Sequence, residues 1–454
     1  MSGAGTFPGG STNTVTAANN NGYGFVNWTS NGVVVSSSPS YALIVNSDVE
    51  LVANFVQNPV TAQGGEFSVL GSVPGDQVLP SLSLSASGGC IAWQANMLDR
   101  RGGGIGASLL NTSFNAGSHF RVNKVVSGIQ NNPQVQLLAN DNMIFVWQGS
   151  VTATGNPYIY ARFAKNSARG ADTYGSNFYT GDIQVNTYTA DQQISPAVAA
   201  LPDGSAIVTW QSYGEDGSMW GVYARRLTAQ GRGVPAKQFL VNQYTSYNQR
   251  NPAVAVLANG NYVIAWVSEQ ERSVTSIDVY ARIFTAAGVP VTDEIPLNSG
   301  TNACAAPAVA ALNDGGFTAV WSEKDALVAT NGWDIWGRAF SASGSPEVAE
   351  FRINTFLYGD QFAPKIAAGP SGSLVVWTSL GQDGSREGVF GRFLAGGTQV
   401  AGGEFQVNTT TVSQQMHPAV AWNQVDHFLV VWTSFVGASG FDLYGQSYAL
   451  SSSP

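Results

Sequence analysis

The stretch "PAVAALPDGSAIVTWQSYGEDGSMWGVYARR", residues Pro196–Arg226, decides the fold. An apolar run opens at Pro196, and the Asp203-Gly204 turn reverses it. A second apolar run ends near Trp210, a polar loop follows, and Val222–Arg226 forms a third run. Short apolar runs separated by Gly-containing turns read as antiparallel strands.

The pattern recurs seven times. Trp93, Trp147, Trp210, Trp266, Trp321, Trp377 and Trp432 stand 54 to 56 residues apart, except for one interval of 63 where "KNSARGADTYGSNF" is inserted. Pro80, Pro133, Pro196, Pro252, Pro307, Pro364 and Pro418 each precede a Trp by 13 or 14 residues. A third marker runs ahead of each Pro: "EFSVL", "HFRVN", "DIQVN", "QFLVN", "EIPLN", "EFRIN" and "EFQVN". Each unit therefore reads as four strands, with no helical periodicity. One such sheet cannot bury both faces, so the units must stack in a line or close in a ring. The last unit ends without its fourth strand, whereas Glu66–Leu70 precedes the first Pro strand and has no unit of its own. That offset predicts an all-β fold: a seven-bladed β-propeller over residues 66–449, with the N-terminal strand closing the last blade. A small N-terminal β domain over 1–56, a linker at 57–65 and a tail at 450–454 complete the chain.

The repeated "EFxVNT…PAVAxLxDGxxxVxW…VYARxF" pattern resembles the propeller repeats of large secreted or surface-attached bacterial proteins, and "PAVAALPDG" is similar to TolB-type repeats. Gly22–Val56, "GYGFVNWTSNGVVVSSSPSYALIVNSDVELVANFV", resembles the divergent internalin B-repeat module. Its expected first strand is missing or degraded in "GTFPGGSTNTVTA", which suggests a fragment of a longer surface protein. These resemblances imply an extracellular, cell-surface setting.

Composition narrows the function. The chain has 454 residues, 20 Lys or Arg, 29 Asp or Glu and a net charge of −9, with only 11% charged residues. No basic stripe suits nucleic acid. No run approaches a membrane span. Cys90 and Cys304 lie in distant units and lack metal spacing, so they are expected as free thiols.

The repeated residues read as architecture. The Trp side chains fill the wedges between blades. Gln77, Gln130, Gln193, Gln249, Gln361 and Gln415, with Cys304 as the exception, stand three residues before each Pro, in the loops entering the inner strands. They either satisfy backbone groups or ring an axial ligand. Asn123, Asn186, Asn242, Asn298, Asn354 and Asn408 read as turn formers. Arg162, Arg225, Arg282, Arg338 and Arg392 predict blade-to-blade hydrogen bonds, with Ser108 and Gln446 replacing them in the end units.

A binding site must break the symmetry. Trp220, Trp333 and Phe441 share one loop position, where other units have Pro157, Ile277 and Glu387. Flat aromatics there suit stacking on sugars or anchoring a partner, and the alternative is that they cap the blade edge. Asp216 and Asp383, in "GEDGS" and "GQDGS", read as polar turns rather than calcium ligands. His119, His417 and His427 are scattered, and no Gly-x-Ser-x-Gly, His-Glu-x-x-His or sialidase-type box occurs. The expectation is a non-enzymatic binding module without cofactor or metal, recognising a glycan or a surface protein. The alternatives are a structural subunit that assembles with copies of itself and a polysaccharide hydrolase.

Overall fold

The computed structural model describes residues 2–18, 22–98, 103–139, 142–165, 178–230, 237–325, 332–437 and 440–451. The N-terminal strands are β1 (Ser11–Thr16), β2 (Tyr23–Ser30), β3 (Val33–Ser36), β4 (Ser40–Val45), β5 (Val52–Gln57) and β6 (Val60–Ser68). The first repeat unit gives β7 (Gln77–Ser85), β8 (Gly88–Ala95), β9 (Gly104–Leu110) and β10 (Ala116–Arg121). The second gives β11 (Gln130–Leu137), β12 (Met143–Gly149), β13 (Tyr158–Ala164) and β14 (Ile183–Gln184). The third gives β15 (Gln193–Ala200), β16 (Ala206–Tyr213), β17 (Trp220–Leu227) and β18 (Phe239–Leu240). The fourth gives β19 (Gln249–Val256), β20 (Tyr262–Glu269), β21 (Ile277–Phe284) and β22 (Ile295–Pro296). The fifth gives β23 (Cys304–Ala311), β24 (Phe317–Lys324), β25 (Trp333–Phe340) and β26 (Phe351–Arg352). The sixth gives β27 (Gln361–Gly369), β28 (Gly372–Leu380), β29 (Glu387–Ala395) and β30 (Gln399–Gln406). The seventh gives β31 (Gln415–Trp422), β32 (His427–Phe435) and β33 (Phe441–Leu450).

The fold is an all-β propeller. Six separate four-stranded sheets are its blades, and the four strands of the sixth unit belong instead to a seven-stranded sheet. Against the expected seven blades, six stand as separate sheets, because β2 pairs with the outer edge of β30 through Phe25 and Glu404 and brings β3 and β5 with it. That pairing needs two backbones in close contact. A Cβ on Gly24 would lie 2.3 Å from the Cα of Gly403. The inner strands pack in a cycle, β7 on β11 and so on to β27 on β31, and β31 packs back on β7.

The N-terminal strand does close the last unit, but over a different range. β6 pairs antiparallel with β33, Ser68 opposite Tyr444 and Val60 opposite Leu450. Residues 60–65 of the expected linker are therefore strand, and Gln57 ends β5. Leu450 of the expected tail ends β33, and residues 452–454 lie outside the described residues, as does most of the insertion in the second unit. In the N-terminal module the stretch read as missing or degraded contains β1, which pairs with β4. Trp28 is fully buried there, among Ala17, Phe25 and partly buried Tyr41 and Leu51.

All seven repeat Trp side chains are at most 1% exposed. Each fills the space between two sheets; Trp321, for example, packs with Val263, Val279 and Leu297 of the preceding unit. Cys90 and Cys304 are free, buried, and in separate core clusters.

One regularity was not visible in the sequence. Every inner strand has its third residue in the left-handed region: Leu79, Asn132, Ser195, Asn251, Ala306, Ala363 and His417, with φ between 49° and 56°. The ladder to the second strand slips at that place in all seven units. The repeat Pro follows immediately, at a bulge where a strand tolerates a missing N–H. A non-glycine residue in this region costs about 1–2 kcal/mol, which exceeds the extra freedom glycine gives the unfolded chain. Ala363→Gly is thus expected to raise the melting temperature by the equivalent of roughly 0.5–1 kcal/mol, and Ala363→Val to lower it, in calorimetry of the full chain.

Candidate ligand-binding face

Two kinds of loop share one end of the propeller. One runs from an outer strand to the next inner strand, and the other joins second and third strands. The register shows this in the third unit, where Gln193 at the start of β15 faces Ser212, and Tyr213 at the end of β16 faces Trp220.

A repeated polar framework holds these loops. Each Asn at the end of an outer strand accepts the N–H of the third strand, as in Asn186 from Ile159 at 2.9 Å and Asn354 from Ile335 at 2.7 Å. Its amide NH2 donates to the carbonyl two residues on, Tyr188 and Phe356 in these cases. The Gln residues begin the inner strands rather than lying in the loops before them, and they are at most 3% exposed. Gln130 and Gln193 accept the indole N–H of Trp147 and Trp210 at 2.8 and 2.9 Å. Gln249, Gln361 and Gln415 donate to loop carbonyls at 2.8 to 3.1 Å. These amides are thus bonded within the fold, which favours the backbone-satisfying reading of the Gln residues. The third-strand Arg residues make the anticipated bonds between units, such as Arg225 to the carbonyl of Val185 at 2.7 Å and Arg392 to that of Ile353 at 2.8 Å.

The fifth unit reaches the Trp147 and Trp210 arrangement by another route. Cys304 replaces Gln, and it starts β23 rather than lying in a loop. Glu323, 4% exposed, takes over as acceptor for Trp321 at 3.1 Å and also accepts from Asn302. Burial raises its pKa, and its hydrogen bonds oppose the shift. Asp216 and Asp383 accept the N–H of Ser218 and Ser385, and Asp383 also holds Asn408, so both shape their turns.

Trp220, Trp333 and Phe441 are the first residues of β17, β25 and β33, not loop residues, and all three are partly buried. They sit on alternate units, and no ring contact among the described residues joins any two of them. Each has a local partner instead. Trp220 meets Tyr213 edge-on at 5.1 Å, Phe441 meets Phe435 at 5.3 Å, and the Trp333 N–H donates to Asp360 at 3.1 Å. Tyr213 and Phe435, 38% and 36% exposed, escaped the sequence reading. Their signal was available, since both stand three residues after a repeat Trp.

Exposed apolar side chains are distributed unevenly. Among the described residues from 60 onward, fifteen large ones are exposed. Twelve are at the loop end described above: Met97, Ile129, Val151, Tyr213, Met219, Tyr247, Val274, Leu357, Tyr358, Leu380, Val412 and Phe435. Only Val289, Val291 and Val425 lie elsewhere.

The same face carries carboxylates in the fourth and fifth units. Burial, then the neighbouring Glu294 and Asp278, push Glu271 up to about 7, while the Ser268 hydroxyl pulls it down. Arg272 pairs with Asp278 and donates to the Gly300 carbonyl. Among the described residues no group of three or more acidic, His or Cys side chains is placed to hold a metal ion.

With this geometry in view, the family model of the divergent InlB B-repeat domain matches residues 1–59. No curated protein matches the chain. Solved structures share the fold at low identity. A protein of unknown function from Dyadobacter fermentans is 11% identical, covers 87% of this chain and 100% of its own, and superposes with a TM-score of 0.51. The polysaccharide lyase Uly1 is 10% identical, with 84% and 91% covered and a TM-score of 0.52. An α-L-arabinanase from Penicillium chrysogenum, solved with arabinobiose, is 11% identical over 70% of this chain and 92% of its own, at 0.48. No helix among the described residues is long and apolar enough to cross a membrane.

The Glu271 shift has a definite sign. The folded chain holds this proton more tightly than the unfolded chain, so the stabilisation is complete below the ordinary Glu pKa of 4.5 and is lost as pH rises through about 7. Thermal melts of Glu271→Gln are expected to exceed wild type at about pH 8 and to show no gain at about pH 4.5.

Proposed function

We propose that this chain is a non-enzymatic binding module of the bacterial cell exterior that docks a glycan on the loop face of its propeller. The observation that carries the reading is that, among the described residues from 60 onward, twelve of the fifteen exposed large apolar side chains lie on that face. Among them, Tyr213 forms an aromatic pair with Trp220 and Phe435 one with Phe441. Such rings offer flat apolar surface for the faces of sugar rings at little entropic cost. A polysaccharide lyase is built on a similar scaffold, so sugar chains are ligands that the architecture accommodates. The divergent InlB B-repeat domain at the N-terminus supports the cell-surface setting. In our reading the ring counts seven blades, the seventh being the β27 to β30 part of the seven-stranded sheet, and residues 1–59 form the appended module.

The test is binding of purified chain on a glycan array. Trp220→Ala and Tyr213→Ala are each expected to weaken the glycan hit at least about tenfold, in line with the loss of one stacked aromatic. Val289→Ser, away from the loop face, should leave it unchanged. Equal effects on both faces, or no glycan bound at all, would sink the reading. Turnover of a polysaccharide by the wild-type chain would overturn the non-enzymatic part.

A second reading has its own observation. β3 is the outer strand of the seven-stranded sheet, and its Val33, Val34 and Val35 are 67%, 58% and 37% exposed. An apolar open edge templates pairing with another strand, which favours assembly with copies of this chain. Light scattering is expected to show concentration-dependent association that Val34→Lys abolishes; a wild-type monomer at all concentrations rules it out.

A further inference from the structure

The seven inner strands surround the propeller axis, and their ionisable side chains are unusual for this protein. The whole chain has 29 acidic and 20 basic residues, of which only five are Lys. Yet the inner strands carry no Asp or Glu, and apart from the buried Cys304 thiol their ionisable groups are Arg250, Lys365 and His417. Arg250 is neutralised by Glu269 at 2.8 Å. Lys365 and His417 have no side-chain hydrogen bond or ion pair among the described residues.

Position brings these two together. Lys365 is the fifth residue of β27, and the other units have Ser81, Gln134, Ala197, Ala253, Ala308 and Ala419 at that step. The fold therefore does not require a lysine there. His417 is the left-handed bulge residue of β31, the inner strand packed beside β27, and its N–H donates to the Thr378 hydroxyl of the sixth unit at 3.3 Å. Lys365 and His417 are both solvent-exposed, on inner strands that pack side by side around the axis. Burial lowers the pKa of Lys365. Burial and then the Lys365 charge lower that of His417, while Glu387 of β29 raises it. Lys365 and His417 disfavour each other's protonation, Glu387 only partly offsets this at His417, and an anion between the two bases reverses it.

We propose that Lys365 and His417 hold an anionic group in the axial channel, the carboxylate or sulfate ester of an acidic sugar chain lying on the loop face. The substrate class rests on the glycan-binding reading above; the anion site itself rests on the inner strands alone. A charge-assisted bond from an ammonium to a carboxylate or sulfate is among the stronger polar contacts.

Titration calorimetry on the full chain tests this with three probes: oligogalacturonate, a sulfated galactan oligosaccharide and a neutral arabino-oligosaccharide. Lys365→Ala installs the residue that four other units already have, so its melting temperature checks the fold independently. The expected result is a loss of roughly tenfold or more for one or both acidic probes, with no change for the neutral one. The acidic probe that responds identifies the source of the anion. If Lys365→Ala retains wild-type affinity for both acidic probes, or if wild type binds neither, the anion site is overturned. Trp220→Ala separates the two readings. A loss for every probe in that variant supports the loop face. Unchanged binding there, with the Lys365→Ala loss intact, removes the loop face and leaves the channel site standing.

Discussion

The wedge-filling Trp is the constraint on which the rest depends. A four-stranded antiparallel sheet with a fully buried Trp needs apolar cover on both faces, and it finds that cover only on its two neighbours. Trp321 takes its cover from strands β20 and β21 of the preceding unit, and Trp210 from β12 and β13. Truncating such a side chain to Ala typically costs about 3–5 kcal/mol, because the cavity opens between two sheets that cannot collapse separately. End units of an open stack would each leave a face bare. The packing of β31 on β7 and the pairing of β6 with β33 remove those ends, so closure follows from the same burial that makes each blade.

Polar residues then set the order of the blades. Outside the first unit, where His119 meets the Leu70 carbonyl instead, the acidic or amide residue at the start of the outer segment accepts N–H groups just after the Asn of the preceding unit: Asp182 from Lys124, Gln238 from Thr187, Glu294 from Gln243, Glu350 from Ser299 and Glu404 from Thr355. Glu66 does the same with Thr409 and Thr410 across the junction where the chain ends meet. The closing strand thus carries the same device as the internal ones, and the ring has no chemically distinct seam there. The Gln and Asn amides are bonded mainly within their own units and the Arg residues to the unit before, so their repetition has a structural cause.

How much of this was legible follows from what repetition can and cannot reveal. Period, strand count per unit, the offset closing strand and the roles of Trp, Asn and Arg were readable because each is stated several times over. The early start of β6 was not, since "VTAQGGEFS" is polar and glycine-containing and becomes strand only by pairing with β33. The fusion of the N-terminal module to β30 depends on Gly24 meeting Gly403, a contact across almost the whole chain with no local trace. The left-handed bulge was also hidden. Leu79, Ala306 and Ala363 are not residues that announce positive φ, and the following Pro was its only sign. At the candidate site the aromatic positions were found, but a pattern of residue types shows neither exposure nor the cross-strand partners Tyr213 and Phe435.

A sevenfold frame makes its exceptions interpretable. Where a position is repeated, the structure supplies a neighbour that needs it. Where one unit departs, either a second change restores the contact, or the new group has no structural employer. Cys304 and Glu323 are the first kind, since Glu323 gives Trp321 the acceptor that Gln130 and Gln193 give Trp147 and Trp210. Lys365 is the second kind, since six units manage with Ser, Gln or Ala at the same step. Burying part of a cation in a channel without a counter-charge costs stability. The same position in other units shows that the cost is avoidable by a single substitution. Its presence in an acidic, lysine-poor chain points away from architecture and toward the anion proposed above.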